Sequence, residues 1–104
     1  MYTIAETEIF SRYVRDYWTE DERAVFAVWI AEHHDAGEII PGSGGCRKVR
    51  WSRKGKGKRG GLRVIYYNML QDGIIWLLLI YAKNENENIP AHLLKAIKEE
   101  ITCR

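Results

Sequence analysis

The sequence predicts an α+β fold in which helices pack on a small twisted antiparallel sheet. Apolar residues recur at helical spacing near both ends of the chain, which predicts helices there. Between them, three segments rich in β-branched and aromatic residues predict strands. A chain of 104 residues is long enough for one core and too short for two, so we expect a single domain spanning residues 1–104.

The N-terminal third predicts a helical hairpin. One stripe of an amphipathic helix is formed by residues at i, i+3, i+4 and i+7: Phe10, Tyr13, Val14 and Tyr17. Thr19, followed three residues later by Glu22, fits a capping box at the start of a second helix. Gly37 is placed to end that helix. A short strand before the hairpin, at Tyr2–Ala5, is a further possibility.

The middle of the chain predicts strands. In "CRKVRWS" the side chains alternate, with one face made of Arg47, Val49 and Trp51 and the other of Lys48, Arg50 and Ser52. "GLRVIYYNML" follows as a second strand, and Asp72-Gly73 is a tight-turn signal. "IIWLLLIYA" is apolar on both faces, so we expect it to be central. Pro90 then opens a C-terminal helix whose apolar face is Leu93, Leu94, Ile97 and Ile101.

The charge distribution predicts a polyanionic partner. The net charge of +2 hides a strong asymmetry. Residues 1–38 hold three basic and nine acidic groups, and residues 72–104 hold four basic and five acidic groups. Residues 39–71 contain no carboxylate and nine cations: Arg47, Lys48, Arg50, Arg53, Lys54, Lys56, Lys58, Arg59 and Arg63. Such segregation creates a local field that governs partners and association rates.

The loop "GKGKRG" at positions 55–60 has the glycine spacing of a dinucleotide-binding fingerprint but lacks the structural context that the fingerprint requires. That fingerprint requires a helix after the glycines, and here a strand follows. A mobile basic loop suits a phosphate backbone, although lysines also guard strand edges against aggregation. Cations on the strands favour nucleic acid, because they are harder to explain as solubility devices. Four aromatic side chains nearby suit unstacked bases, and we expect at least two of them to be core: Trp51, Tyr66, Tyr67 and Tyr81.

Other kinds of site are weakly supported. Cys46 and Cys103 lie in no metal-binding or redox spacing, so we expect free thiols. His33 and His34 are adjacent and lack the spacing of metal ligands, and we expect neither a metal nor a cofactor. The N-terminus does not resemble a signal peptide, and the longest apolar run is about half of what a membrane helix needs. We therefore expect a soluble, cytoplasmic protein.

Three motifs together resemble the HigB branch of the RelE/ParE superfamily of bacterial toxins. They are "GSGGCRKVRW", "GKRGGLRVIYY" after the basic loop, and "LLLIYAKNENENI". The likeness extends from the "YWTEDE" turn to the C-terminal helix. It implies a RelE-like fold with two N-terminal helices, a twisted antiparallel sheet and a C-terminal helix.

The resemblance also implies an activity, which is cleavage of messenger RNA in the ribosomal A site by a metal-free attack of the ribose 2′-hydroxyl. It implies a cognate helix-turn-helix antitoxin, HigA-like, with which the toxin represses its own operon. The residues matching the family's catalytic motifs are Arg63, Lys48, Arg50, Tyr81 and Lys83. Contacts to RNA and the ribosome are expected from Arg47, Arg53, Lys54, Lys56, Lys58, Arg59 and Tyr67.

This sequence departs from the better-known RelE relatives near the end of the last strand. Those relatives have an arginine after the lysine and a tyrosine beyond it, whereas here Asn84 follows Lys83 and Pro90 stands near the tyrosine's place. The general acid and base are therefore open, with Lys48 or Tyr81 as candidates for proton transfer. Three alternatives to an endonuclease are a ParE-like gyrase poison, a non-catalytic nucleic-acid-binding module, and a subunit that binds an acidic protein.

Overall fold

The computed structural model describes residues 2–52, 61–83, 85 and 89–102. In chain order the elements are β1 (Thr3–Glu6), α1 (Glu8–Val14), α2 (Glu20–Glu32), β2 (Glu38–Ile39), β3 (Arg47–Trp51), β4 (Leu62–Met69), β5 (Ile74–Ala82) and α3 (Ala91–Thr102), with a 3-10 turn, Leu70–Asp72, between β4 and β5. None of the helices in these ranges is both long and apolar enough to cross a membrane.

The described strands form one five-stranded sheet in the order β1-β5-β4-β3-β2. The predicted α+β class is confirmed, but the sheet is mixed, because β1 pairs parallel with β5 while the other pairs are antiparallel. β1 and β5 are far apart in sequence, so no hairpin imposes an antiparallel direction on them. β2 was not predicted, because a strand of two residues is too short to show an alternating pattern in the sequence. Both of its residues are exposed.

The buried side chains form two cores, one on each face of the sheet, where the sequence predicted a single core: the first lies under α1 and α2 and the second under α3. The first core contains Phe10, Val14, Trp18, Phe26, Ile30, Val49, Val64, Tyr66, Ile75, Leu77 and Ile80. The second contains Cys46, Ile65, Leu78, Tyr81 and Leu94. Successive residues of β4 alternate between them, as the two-residue period of a strand requires. Cys46 is a free, fully buried thiol, and burial raises its pKa.

The N-terminal hairpin is confirmed, with two differences. Thr19 and Glu22 form the predicted capping box, in which each side chain binds the backbone N–H of the other residue. α1, however, ends at Val14, and Tyr17 lies in the turn after it. The prediction that Gly37 ends α2 is wrong, because α2 ends at Glu32 with His33 as its C-cap.

Gly37 is needed for close packing instead. Its backbone N–H donates to the Tyr66 hydroxyl at 2.9 Å, and that hydroxyl donates to the His34 carbonyl at 2.7 Å. A Cβ atom at position 37 would lie 2.9 Å from the Tyr66 ring and from the Lys48 carbonyl oxygen, closer than such atoms approach. The glycine thus lets the α2–β2 connection sit directly on the buried Tyr66.

A β-bulge interrupts the pairing of β4 with β5. Ile65 is opposite Leu79 and Tyr66 is opposite Leu77, so Leu78 is an extra residue. Leu78 and Leu79 consequently both contact the α3 core. The Leu78 carbonyl accepts a hydrogen bond from the Thr7 hydroxyl at 2.8 Å, and the same hydroxyl accepts from the Phe10 N–H as the N-cap of α1. One side chain therefore fixes both the bulge and the start of α1.

We predict that Thr7→Val destabilises the fold by about 2–3 kcal/mol, since it removes the N-cap and leaves the Leu78 carbonyl without its donor. Thr7→Ser keeps the hydroxyl and should recover most of the loss. Urea unfolding of the three proteins measures the difference. Equal destabilisation by valine and serine would show that the hydroxyl is not the cause.

An ion pair fastens α2 to the end of β1. The Arg23 guanidinium donates two hydrogen bonds to the Glu6 carboxylate, one of them from Nε at 2.9 Å, and the Ser11 hydroxyl donates a third at 2.7 Å. Burial raises the pKa of Glu6, but the hydrogen bonds from Arg23 and Ser11 outweigh it and hold that pKa below its usual value. The folded state thus favours the ionised carboxylate.

Because the folded-state pKa of Glu6 is lowered, its stabilisation is present above the ordinary glutamate pKa and lost as the pH falls through the folded value. We predict that Glu6→Gln costs about 1–2 kcal/mol at neutral pH and progressively less below about pH 4. Glu20→Gln is the control, because the Glu20 side chain pairs with Arg23 while 83% exposed, and its effect should stay within about 0.5 kcal/mol. A Glu6→Gln deficit that persists unchanged in acid would contradict this explanation.

Candidate active site on the sheet

A row of three candidate residues crosses the sheet. Arg50 of β3 is opposite Arg63 of β4, and Arg63 is opposite Tyr81 of β5. Residues paired in this way share one face of a sheet, with Cβ atoms about 5 Å apart. The face is the one that carries the α3 core, since Tyr81 belongs to that core.

The other two candidate catalytic residues flank the row. Lys48 lies two residues before Arg50 on β3, so it shares the same face, opposite Ile65. Lys83 follows the end of β5, where its backbone N–H donates to the Gly61 carbonyl at 3.3 Å. The structure therefore brings together all five residues that match the family's catalytic motifs, at the end of the sheet where β4 begins and β5 ends.

Burial differs sharply within this group. Arg63 is 5% exposed and Tyr81 is 4% exposed, whereas Arg50 and Lys83 are exposed and Lys48 is half-buried. One Arg63 nitrogen, Nη1, lies 3.5 Å from the Leu62 carbonyl oxygen. An anion approaching from solvent meets the outer cations first, and contact with Arg63 requires neighbouring groups to move aside.

Arg47 faces away from this group. Its guanidinium donates to the Gly37 carbonyl at 2.6 Å and to the Asp35 carbonyl at 3.4 Å, on the side of the sheet covered by α2. This placement argues against the RNA contact predicted for Arg47 and indicates a structural role. The sequence placed Arg47 in a run of cations without showing that its side chain is used by the α2–β2 connection.

The four aromatic residues predicted near the basic segment separate into two pairs. Tyr66 is fully buried and Trp51 packs beside Phe26 and Trp29, both in the core under α1 and α2. Tyr67 and Tyr81 lie on the opposite face, where Lys98 Nζ stands 5.2 Å from the centroid of the Tyr67 ring. The expectation that at least two are core is confirmed, because Tyr66 and Tyr81 are buried.

Several predicted contacts fall outside the described residues, namely Arg53, Lys54, Lys56, Lys58 and Arg59, together with Asn84. Two described sequence neighbours of the basic loop are Trp51 at the end of β3 and Leu62 at the start of β4, which are paired with each other. β3 therefore ends, and β4 begins, one residue beyond the Arg50–Arg63 pair.

A family model described as the RelE toxin of the RelE/RelB toxin–antitoxin system matches residues 2–102. The chain belongs to the RelE toxin family. It is therefore the toxin of a toxin–antitoxin pair, and the predicted membership of the RelE superfamily is confirmed.

A solved structure carries the same fold as this RelE-family toxin. It is the structure of E. coli toxin RelE in the free state, as a variant with two arginines replaced by alanine. The two chains superpose with a TM-score of 0.62 at 14% sequence identity, and the match covers 93% of this chain and 96% of the other. At that identity the likeness concerns the fold alone, which confirms the predicted α+β architecture.

The toxin also contains a contact at the end of β5 that sequence analysis missed. The Tyr17 hydroxyl donates a hydrogen bond to the Glu85 carboxylate. Burial and the neighbouring Glu85 raise the pKa of Tyr17 to about 12, so the phenol stays protonated at physiological pH. The contact ties the segment after Tyr81 to the α1–α2 connection. The two residues are 68 positions apart, and no local sequence pattern predicts a contact between them.

Arg50 and Arg63 are paired across β3 and β4, and we expect their like charges to lower the stability of the toxin. Like charges directly opposite each other on neighbouring strands are destabilising. We predict that Arg50→Gln raises the free energy of unfolding by about 0.2–1 kcal/mol, with a gain that shrinks as salt is added. The matched control is Arg47→Gln, which makes the same charge change on the same strand but loses hydrogen bonds to backbone carbonyls. It should cost about 1–2 kcal/mol.

Denaturant unfolding at low and high salt measures both variants. If Arg50→Gln and Arg47→Gln lower stability alike, the Arg50–Arg63 pair is not a source of strain.

Proposed function

We propose that this toxin is a ribosome-dependent messenger RNA endonuclease of the HigB branch and that it acts by inhibiting translation. The observation that carries the proposal is the row formed by Arg50, Arg63 and Tyr81. Two arginines paired across neighbouring strands, with a tyrosine paired to the second of them, suit a phosphodiester, because guanidinium remains charged and binds phosphate through paired donors.

The proposed reaction is an attack by a ribose 2′-hydroxyl on the adjacent 3′ phosphodiester. The bond from the 2′-oxygen to phosphorus forms while the bond from phosphorus to the 5′-oxygen breaks. The 2′-hydroxyl gives its proton to a base on the enzyme, and the departing 5′-oxygen receives one from an acid. The products are a 2′,3′-cyclic phosphate and a free 5′-hydroxyl. Negative charge accumulates on the phosphorane oxygens, so cations fixed in advance lower the barrier.

We assign the central role to Arg63, as the cation that stabilises this charge. Arg50 and Lys48 are its neighbours on β3 and assist it in holding the phosphate, while Lys83 approaches from the end of β5. Proton transfer is assigned to Lys48 or Tyr81, both of which lie on the face of Arg63. In this scheme the nearly buried state of Arg63 strengthens its interaction with phosphate, since low dielectric amplifies charge-assisted hydrogen bonds.

We assign docking on the ribosome to the basic loop with Arg53, and to Tyr67, which lies farther along β4. The residues concerned are Arg53, Lys54, Lys56, Lys58, Arg59 and Tyr67. Contacts of this kind supply affinity that falls with salt and carries no sequence choice. The proposed partner in the resting state is a HigA-like antitoxin with a helix-turn-helix domain, through which the pair contacts operator DNA. The proposed location is the bacterial cytoplasm.

The test is a purified translation reaction with a defined messenger, in which primer extension reads the new RNA ends. We expect cleavage only when ribosomes translate the message, and Arg63→Ala should lower its rate by a factor of about 10²–10³, as expected when a charge-stabilising group is removed. Arg12→Ala is the matched control, because Arg12 is an exposed arginine of α1 and should leave the rate unchanged.

Other outcomes identify the alternatives. Intact messenger with wild-type toxin would exclude the endonuclease, and a gyrase supercoiling assay would then test a ParE-like poison. If Arg63→Ala loses only a fraction of its RNA affinity and the wild type shows no turnover, the protein is a binding module.

A further inference from the structure

The outer edge of β5 is open beyond the end of β1. β1 pairs with β5 only from Ile74 to Leu77, after which the chain turns into α1. β5 continues to Ala82, and in the described part of the chain no strand covers this side of its last residues. A groove of about 420 Å³ runs here between α1, the edge of β5 and the segment leading to α3.

The groove is apolar with an acidic rim. Ile9 and Tyr13 line it from α1 and are 39% and 48% exposed, and Ile89 lines it from the opposite side. Among the described residues, the charged side chains in the lining are the carboxylates of Asp16 and Glu85. Large apolar side chains left exposed around a concavity mark a surface that another molecule covers.

The charges decide which class of molecule fits. RNA brings a phosphate at every nucleotide, and the rim carboxylates would repel it. A peptide with an apolar side chain beside a lysine or arginine satisfies both the apolar lining and the rim. Such an anchor buried in a pocket with opposite charges at its edge is the usual arrangement of a strong protein contact.

We propose that this groove binds a basic, apolar-anchored segment of the cognate antitoxin. The inference rests on the assignment of the chain as the toxin of a toxin–antitoxin pair. The groove would receive its occupant at the edge of the sheet, whereas the proposed catalytic cations lie on the sheet face. Tyr81 belongs to both, because it lines the groove and also ends the row that contains Arg63. The antitoxin would thus contact one residue of the proposed active site without covering its cations.

The test compares two lysine substitutions that change the charge equally. Asp16→Lys alters the rim of the groove, while Asp21→Lys alters another exposed aspartate, at the start of α2. The probe is the purified full-length antitoxin encoded beside the toxin, titrated calorimetrically into each variant. We expect Asp16→Lys to weaken binding roughly tenfold or more, and more strongly at low salt, because it places like charges together. Asp21→Lys should stay within about twofold of the wild type, as a charge outside the contact does.

A second pair tests the apolar part of the contact. Tyr13→Ser removes an aromatic ring from the groove, and Val28→Ser removes an exposed apolar side chain from α2, where Val28 is 62% exposed. We expect a marked loss of antitoxin affinity for Tyr13→Ser only. Thermal unfolding of all four variants verifies that each is folded, which their exposed positions favour.

Three results separate this inference from the proposed endonuclease. Equal effects of Asp16→Lys and Asp21→Lys on antitoxin affinity would overturn the groove assignment. Reduced messenger cleavage by Asp16→Lys with unchanged antitoxin affinity would also overturn it and assign the groove to RNA. If Asp16→Lys weakens antitoxin binding more than Asp21→Lys does, while the wild-type toxin cleaves no messenger, the groove assignment is supported and the proposed endonuclease activity is excluded.

Discussion

The bulge at Leu78 is the feature on which the arrangement of the candidate site depends. If the pairing of Tyr66 with Leu77 continued without an extra residue, Arg63 would be opposite Ile80, and Tyr81 would face the core under α1 and α2. The added residue moves Tyr81 to the face of Arg63 and completes the three-strand row. Thr7 holds the bulge by binding its displaced carbonyl, so the first turn of α1 supports the geometry of the site from the edge of the sheet.

Strong local signals in the sequence predicted most of the framework. The capping box at Thr19, the Asp72-Gly73 turn and the β-branched strands each depend on residues close together in the chain, and the structure contains all of them. The features missed are those that only distant residues specify. β5 is apolar on both faces, so a shift in its phase leaves no trace in the sequence pattern. The parallel pairing of β1 and the hydrogen bond between Tyr17 and Glu85 are likewise set by tertiary packing.

The sequence predicted which residues belong to the candidate site, but it did not predict how they are arranged on the sheet. The family motifs named Arg63, Arg50 and Tyr81, and the register places them in one row. Alternation along β3 placed Arg47 on the face opposite Lys48 and Arg50, but the sequence did not show that its side chain binds backbone carbonyls there. A count of cations in the sequence therefore overstates the proposed RNA surface wherever a side chain is already hydrogen-bonded within the fold. The Arg47 guanidinium satisfies backbone carbonyls of the connection after α2, while Arg50, three residues later, faces another arginine.

Two proposed surfaces of opposite charge thus meet at one residue. The basic face of β3 and β4 and the acid-rimmed groove beside α1 are separate, yet Tyr81 contributes to both. If an occupant of the groove changes how tightly the face holds RNA, thermodynamic linkage requires RNA to change the occupant's affinity by the same factor. Because Leu79 and Ile80 also line the groove, any displacement of β5 there acts on the strand whose register sets the position of Tyr81. An antitoxin bound as proposed above would contact the candidate site through Tyr81 alone among its residues in the row, and it would leave the outer cations Arg50 and Lys83 exposed to solvent.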